Sequence, residues 1–225
     1  MTPGGDSLFE RRTSVRAFLD RPVDKAQVAD LLHIARMAPS GANLQPGRFH
    51  VLAGRPLAEF SAALTGAEAA GSPHDADYSY FPRPMPAELK ALQRAAGFAL
   101  YAALGIDKRD LDGRRAQFDR NYRFFDAPVG IVVTIRPDMG KGCFMDLGMC
   151  LQTFLLAATD AGLGACGIGA LANHGRLVHD HLGLGADELV VCGIALGHPD
   201  WDHPVNQFRT ERLSVEEFAT FRGFD

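Results

Sequence analysis

Val129-Gly130-Ile131-Val132-Val133-Thr134-Ile135 reads as a strand buried on both faces. Every residue except Gly130 is β-branched, and seven residues are too few for a core helix. Residues 143–161 follow as an almost uniformly apolar helix, with Phe144, Leu147, Leu151, Phe154, Leu155 and Ala158 offering several faces to bury. A helix of that kind is expected at the centre of the fold or at a subunit interface. Gly162 and Gly164 stop it, Ala165 to Gly169 reads as a short strand or turn, and a helix near 173–183 precedes a strand at 189–196. Upstream, Val28, Leu31, Leu32, Ala35 and Ala38 mark an amphipathic helix over 24–38. Asp24 and Gln27 are spaced as a capping box at its start, and Pro39 is expected to end it. A strand at 48–52 and a short helix near 56–64 come next. This order predicts an α+β or mixed α/β fold.

Residues 65–77 turn mostly to Gly, Ala, Ser, Pro, His and Asp, with little to bury, and predict a loop. Tyr78, Tyr80 and Phe81 follow, then Pro82, Pro84 and Pro86, a helix over 88–104 and a shorter polar one over 108–118. Residues 65–122 are therefore expected to be an excursion from the core, a lid within a single domain spanning 1–225. The tail, 198–225, lacks core periodicity apart from a capping-box pair, Ser214 and Glu217, over a last short helix. Such an arm suits packing on another subunit.

At 47% hydrophobic and 22% charged, with a net charge of −4, the composition is that of a soluble globular protein. No global field draws it to nucleic acid or a membrane. Cys143, Cys150, Cys166 and Cys192 show no CxxC spacing and read as reduced, buried thiols. The N-terminus lacks the apolar run of a signal peptide, and the apolar stretch 143–158 is interrupted by Asp146, Gln152 and Thr153. It falls short of the roughly 20 residues a spanning helix needs. These features predict a cytoplasmic protein.

Three stretches carry chemistry. Arg12, Thr13, Ser14 and Arg16 lie before the first helix, and Arg209 and Arg212 near the other terminus. Bidentate Arg donors and a hydroxyl satisfy phosphate oxygens, although such residues also make an ordinary solvated face. Pro39, Ser40, Gly41, Asn43 and Gln45 follow the helix; Asn43 and Gln45, two apart in an extended segment, can face one way and present amides to a hydrogen-bonding ring. Gly167, Ile168 and Gly169 let backbone donors approach a ring closely, or form a bulge or turn. Neither a dinucleotide-binding GxGxxG nor a P-loop is present. A metal reading of His174, His179, His181, His198 and His203, and a Ser40 hydrolase lacking GxSxG, rank far behind.

Taken jointly, RRTSVRAFLDRPV, APSGANLQP, FFDAPVGIVVTI, GKGCFMDLGMCLQTFLLAATDAGLGACG and VVCGIALGHPDWDHPVNQFRTERLSVEEF resemble the FMN-dependent nitroreductase family. The match runs over most of residues 9–221 and looks closest to the branch with a long insertion after the second strand. The resemblance implies an α+β fold with a central mixed or antiparallel sheet flanked by helices. It also implies an intertwined homodimer that exchanges C-terminal arms, with two FMN sites at the interface.

By motif position, Arg12, Ser14 and Arg16 should hold the phosphate, ribityl chain and carbonyl edge of FMN, with Thr13 beside them. Arg209 and Arg212 should complete the phosphate site, Gly167, Ile168 and Gly169 should meet the reactive edge, and Pro39, Ser40, Gly41, Asn43 and Gln45 should come from the other protomer. Gly47 stands where the family often has Trp, and Gly167 and Gly169 stand where it often has Pro and a polar residue. The implied activity is ping-pong transfer of electrons from NAD(P)H through FMN to a nitroaromatic, quinone or similar small-molecule acceptor, with no catalytic side chain and no metal. Tyr80 and Phe81 are candidate acceptor contacts. Reductive dehalogenation, flavin fragmentation and a non-catalytic flavin-binding module are the alternatives.

Overall fold

A computed structural model describes residues 7–224 of the chain. Residues 1–6 and 225, which belong to the expected N-terminus and domain limits, lie outside the described residues. The elements in chain order are α1 (Leu8–Arg11), α2 (Lys25–Ala35), β1 (Arg48–Ala53), α3 (Gly54–Ala69), α4 (Ala87–Ala103), α5 (Leu111–Asp119), β2 (Val129–Ile135), α6 (Lys141–Asp160), β3 (Gly164–Ile168), α7 (Gly175–Leu182), β4 (Leu189–Gly197) and α8 (Val215–Phe218), with short 3-10 turns between them.

The four strands form one sheet in the order β1-β2-β4-β3, every neighbouring pair antiparallel. Of the two sheet types left open by the sequence, the antiparallel one is realised. β2 is buried along its whole length because both its faces are covered. Val129, Ile131, Val133 and Ile135 point into a core shared with α2 and α6, while Val132 faces a second core with Leu57, Phe60 and Leu64 of α3. This alternation is the period of two that a pleated strand imposes.

Element boundaries moved where tertiary contacts outweigh local signals. α2 stops at Ala35 rather than Ala38, the chain turning at residues 36–38 before Pro39 is reached. Asp24 and Gln27 form the expected capping box, Gln27 accepting the Asp24 N–H at 3.1 Å. The loop expected over 65–77 begins later, because α3 continues to Ala69 and so carries Glu68. Buried Phe60 and Leu64 anchor that helix against the sheet, and α3 extends beyond them. α4 buries none of its residues.

α6 corrects two expectations. Its 20 residues, at a mean hydropathy of 1.3 over its most apolar window, are long and apolar enough by length and composition to span a membrane. Here it lies along the sheet, burying Leu147, Phe154, Ala157 and Ala158 and exposing Met145 and Met149. Of the four free cysteines, Cys166 and Cys192 are buried, but Cys143 and Cys150 are only half-buried, on the flanks of α6.

Candidate functional site

The N-terminal strip is held as an irregular extra edge of the sheet. Ser14 bridges Ala165 in parallel, with the Val15 N–H donated to the Ala165 carbonyl at 3.1 Å. Phe18 bridges Pro199, and the Asp200 N–H reaches the Ala17 carbonyl at 3.1 Å. Val15 and Ala17 are buried, so the alternation of extended backbone leaves the side chains of Ser14 and Arg16 on the opposite, outer side. Asn206 locks the other chain end to this strip. Its Oδ1 accepts the Arg16 N–H at 2.8 Å, and its Nδ2 donates to the carbonyls of Ala17 at 2.8 Å and Asp200 at 2.7 Å. Arg209 and Arg212 follow three and six residues later, which is why cations 193 to 200 residues apart in sequence meet.

They meet in a cleft of about 580 Å³ lined by Arg12, Thr13, Ser14, Arg16, Arg209 and Arg212, with Ala96, Gly97 and Leu100 of α4 forming an apolar wall. Burial and then the nearby Arg212 lower the pKa of Arg12, and burial and then Arg12 lower that of Arg209. The cations thus concentrate like charge in a partly desolvated space. The Arg16 guanidinium lies 6.0 Å from the centre of the Phe125 ring, at cation–π range. Phe124, Phe125 and Asp126 all adopt left-handed backbone, with φ of 51°, 55° and 62°. Three consecutive non-glycine residues there store strain that the buried Phe124 and Phe125 side chains hold in place.

β3 continues from the strip toward a second group. Gly167 is exposed, with nothing within 4 Å of where a β-carbon would stand, whereas Ile168 points into the core. Gly169 lies under Tyr80. The Tyr78 hydroxyl donates to the Val191 carbonyl at 2.7 Å, and burial pushes its pKa well above the usual phenol range. The Tyr78 ring packs beside Tyr80 at 6.4 Å and Phe144 at 6.0 Å, and Phe81 meets Tyr80 edge-on at 4.8 Å.

The 39–46 loop departs from expectation. It is not extended: Ala42, Asn43 and Gln45 have φ of 51°, 55° and 50°, and residues 41–43 form a 3-10 turn. The Ser40 hydroxyl accepts the Gln45 N–H at 3.0 Å, Asp146 of α6 accepts the Gly41 N–H at 3.0 Å, and Gln45 Nε2 donates to the Asn43 carbonyl at 3.1 Å. These bonds curl the loop. Pro39, Ser40 and Gln45 line a separate cavity of about 210 Å³ with Asp146 and Gly47, sharing no residue with the arginine cleft. Gly47 is required where it stands. Its φ is 102°, and a β-carbon there would lie 2.6 Å from Leu147 Cδ1, so α6 occupies that space.

Within one chain, therefore, the arginine residues, Ser14 and β3 adjoin one another, and the 39–46 loop stands apart. Two residues that position the site had little sequence signal. Asn206 is one buried amide in a polar tail, and Asp146 was legible only as a carboxylate interrupting an apolar helix. His181 packs on Phe60 at 5.1 Å, and His203 Nδ1 accepts the Val205 N–H. The Ser40 hydroxyl closes a loop instead of meeting a histidine.

A family model described as the nitroreductase family matches residues 9–198. The chain is 35% identical to a 4-nitrobenzoate reductase of Pseudomonas putida over 225 residues, covering 100% of this chain and 98% of that one. It is 36% identical to a chloronitrobenzene nitroreductase of Comamonas testosteroni over 222 residues, covering 98% and 97%. Among solved structures, an FMN and NADPH-dependent nitroreductase NfnB from Sphigopyxis sp. strain HMH superposes with a TM-score of 0.94 at 38% identity, covering 96% of this chain and 98% of that one.

Proposed function

The chain belongs to the nitroreductase family, and from that premise we propose that it uses bound FMN to carry electrons from NAD(P)H to nitroaromatic or quinone-type acceptors. The single observation that carries this reading is the arginine cleft. Arg12, Arg209 and Arg212 crowd like charge into a partly buried space, and a phosphate dianion relieves that repulsion while accepting forked guanidinium donors. The donor set fits the phosphate end of FMN, and Ser14 and Thr13 add hydroxyls beside it. FMN, when bound, supplies the hydride and electron chemistry.

The chain's own residues then bind and orient. Arg16, steadied over Phe125, lies farther along the strip and suits the carbonyl edge of the ring. Gly167 exposes backbone at an open edge, and Tyr80 and Phe81 cover the neighbouring surface at Gly169. No side-chain acid or base is assigned, because solvent supplies protons to a nitro or quinone oxygen.

The residues of 39–46 face a different cavity, and this division supports a site completed by a second copy of the chain. We read residues 1–225 as one domain in which 65–122 form a lid and 198–225 an arm that reaches the partner. The four free cysteines suit a reducing compartment such as the cytoplasm.

The test is an absorption spectrum of the purified protein together with NADPH and NADH oxidation, with and without 4-nitrobenzoate or a quinone. A yellow protein whose NAD(P)H oxidation accelerates with the acceptor is the expected result. A flavin-loaded protein that no such compound reoxidises faster than oxygen would move the assignment to dehalogenation, flavin fragmentation or a non-catalytic module.

A further inference from the structure

Away from the arginine cleft, three side chains from three parts of the chain converge on one oxygen atom. Glu68 stands at the last turn of α3, His74 in the loop that leaves the core for the lid, and His174 just before α7. Oε1 of Glu68 lies 2.9 Å from His74 Nε2 and 2.7 Å from His174 Nε2. The three ligand atoms all lie within 4.8 Å of one another. We propose that Glu68, His74 and His174 form a binding site for a zinc-class divalent cation that staples the base of the lid to the core.

The donor set suits that class. Two imidazole nitrogens and one carboxylate oxygen are the usual protein ligands of zinc with one position left open. Ligands at zinc distances around a tetrahedral ion stand about 3.3 Å apart. The cation would therefore enter by widening the two N···O separations by about half an ångström, replacing the protons that now bridge them.

The surroundings are those of ligands held in place. His174 is buried and His74 half-exposed, and their rings meet edge-on at 5.2 Å. Tyr122, itself fully buried, packs edge-on to His174 at 5.1 Å, and Asn173 Nδ2 donates to the Tyr122 hydroxyl at 3.3 Å. Such outer partners orient ligands and raise metal affinity. The Asp75 N–H is donated to the Asn173 carbonyl at 2.9 Å, so the loop is already drawn against the segment bearing His174. His174 also lines a solvent-open cavity of about 590 Å³ with Ser72, Asp75 and Asp180, which gives the cation an entry path and the fourth position a water.

Glu68 and His174 are 106 residues apart, with most of residues 65–122 between them. A cation at this point would fix where the lid leaves the core without touching the flavin cleft.

The experiment uses the flavin-loaded protein, stripped with chelator, desalted, and dialysed against zinc at micromolar free concentrations with elemental analysis of the protein. One zinc per chain is expected, with a rise in Tm. His74→Ala, at a partly exposed loop position that leaves the core intact, and Glu68→Gln should each weaken zinc binding at least about ten-fold and abolish the Tm rise. His179→Ala, which removes a histidine outside the cluster, should change neither. Absence of stoichiometric zinc in the wild type overturns the proposal and leaves a hydrogen-bonded clasp. Retention of wild-type affinity by both His74→Ala and Glu68→Gln overturns it equally, since zinc would then sit elsewhere.

Discussion

Tyr80 closes over Gly169 so tightly that a β-carbon on the glycine would lie 2.9 Å from Cε2 of the tyrosine ring. Tyr80 therefore meets Gly169 at a point where only a hydrogen atom fits between them. Tyr78 fixes the approach through its bond to Val191, and Phe81 meets the Tyr80 ring edge-on. Tyr80 itself remains 61% exposed, so the ring covers β3 while still facing whatever enters above it.

Tyr80→Ala is accordingly expected to alter the ranking of acceptors by kcat/KM while leaving flavin reduction by NAD(P)H within about two-fold, since an aromatic lid residue acts by shape and stacking. Stopped-flow measurement of the two half-reactions separates the effects. Slowing confined to the NAD(P)H half-reaction would remove Tyr80 from acceptor selection.

At the other end of the cleft, Arg16→Ala or Arg212→Ala should each remove a charge-assisted contact worth about 1.5–3 kcal/mol. FMN retention should weaken roughly ten-fold or more per residue. Titration of apoprotein by flavin fluorescence reads this directly, and unchanged affinity in both variants would reduce these arginines to surface charges.

Asn206 organises that cleft without lining it. Asn206→Leu keeps the volume but strands the Arg16 N–H and the Asp200 carbonyl, and leaves the Ala17 carbonyl with the Asp200 N–H alone. Stranded buried groups cost about 1–3 kcal/mol each when water cannot reach them. Lower stability in urea should accompany weaker FMN binding. Weak binding with unaltered stability would place Asn206 in contact with the ligand instead.

Much of this arrangement was legible in the residue order, and the illegible part has a common cause. β2 and β4 declared themselves because strands buried on both faces need unbroken apolar runs. Arg12, Ser14, Arg16, Arg209 and Arg212 could be nominated from residue chemistry, and they do converge. Their convergence depends on Asn206, a side chain bonding across 189–190 residues, and no local pattern encodes such a partner. The curl of the 39–46 loop was hidden for the same reason: Asp146, on another helix, accepts the Gly41 N–H. Glu68 was misplaced into a loop because Gly66 and the Gly71-Ser72-Pro73 run argue locally against helix, whereas the anchor that Phe60 and Leu64 provide carries α3 on to Ala69.

Acid stability should depend on Glu188. This buried carboxylate accepts from the Thr134 hydroxyl at 2.6 Å, faces His50 Nε2 at 2.7 Å and pairs with Arg48 at 3.4 Å. Burial pushes its pKa up, but the bonds from Thr134 and His50 and the charge of Arg48 outweigh that, and the net shift is downward. A carboxylate with a lowered folded pKa stabilises the protein fully above its unfolded pKa of about 4.3, and that contribution is lost as pH falls through the folded value. Glu188→Gln should thus lower the urea midpoint at pH 7 and flatten the decline on acidification. An unchanged slope below pH 4 would assign acid sensitivity to other carboxylates.

The C-terminal arm makes the last prediction. After buried Val205 and Asn206 the chain leaves the core, and α8 and the residues beyond it expose Phe218, Phe221 and Phe224 at 82%, 63% and 83%. α6 exposes Met145 and Met149 on the same molecule, and the 39–46 loop opens to a cavity separate from the arginine cleft. Apolar surface of this extent is costly to leave in water, and a second copy that covers it would also bring its 39–46 loop toward the flavin. The protein should therefore run as a dimer at micromolar concentration. Truncation after Gln207 keeps the Asn206 bonds but removes the arm, and with it Arg209 and Arg212, so a second variant isolates assembly from phosphate binding. Replacing Phe218, Phe221 and Phe224 together by Ser leaves every cleft arginine in place. Sedimentation should show weakened dimerisation and parallel loss of flavin in that variant. A triple-Ser protein that dissociates to a folded monomer while keeping FMN at low concentration would show that each chain holds its flavin alone.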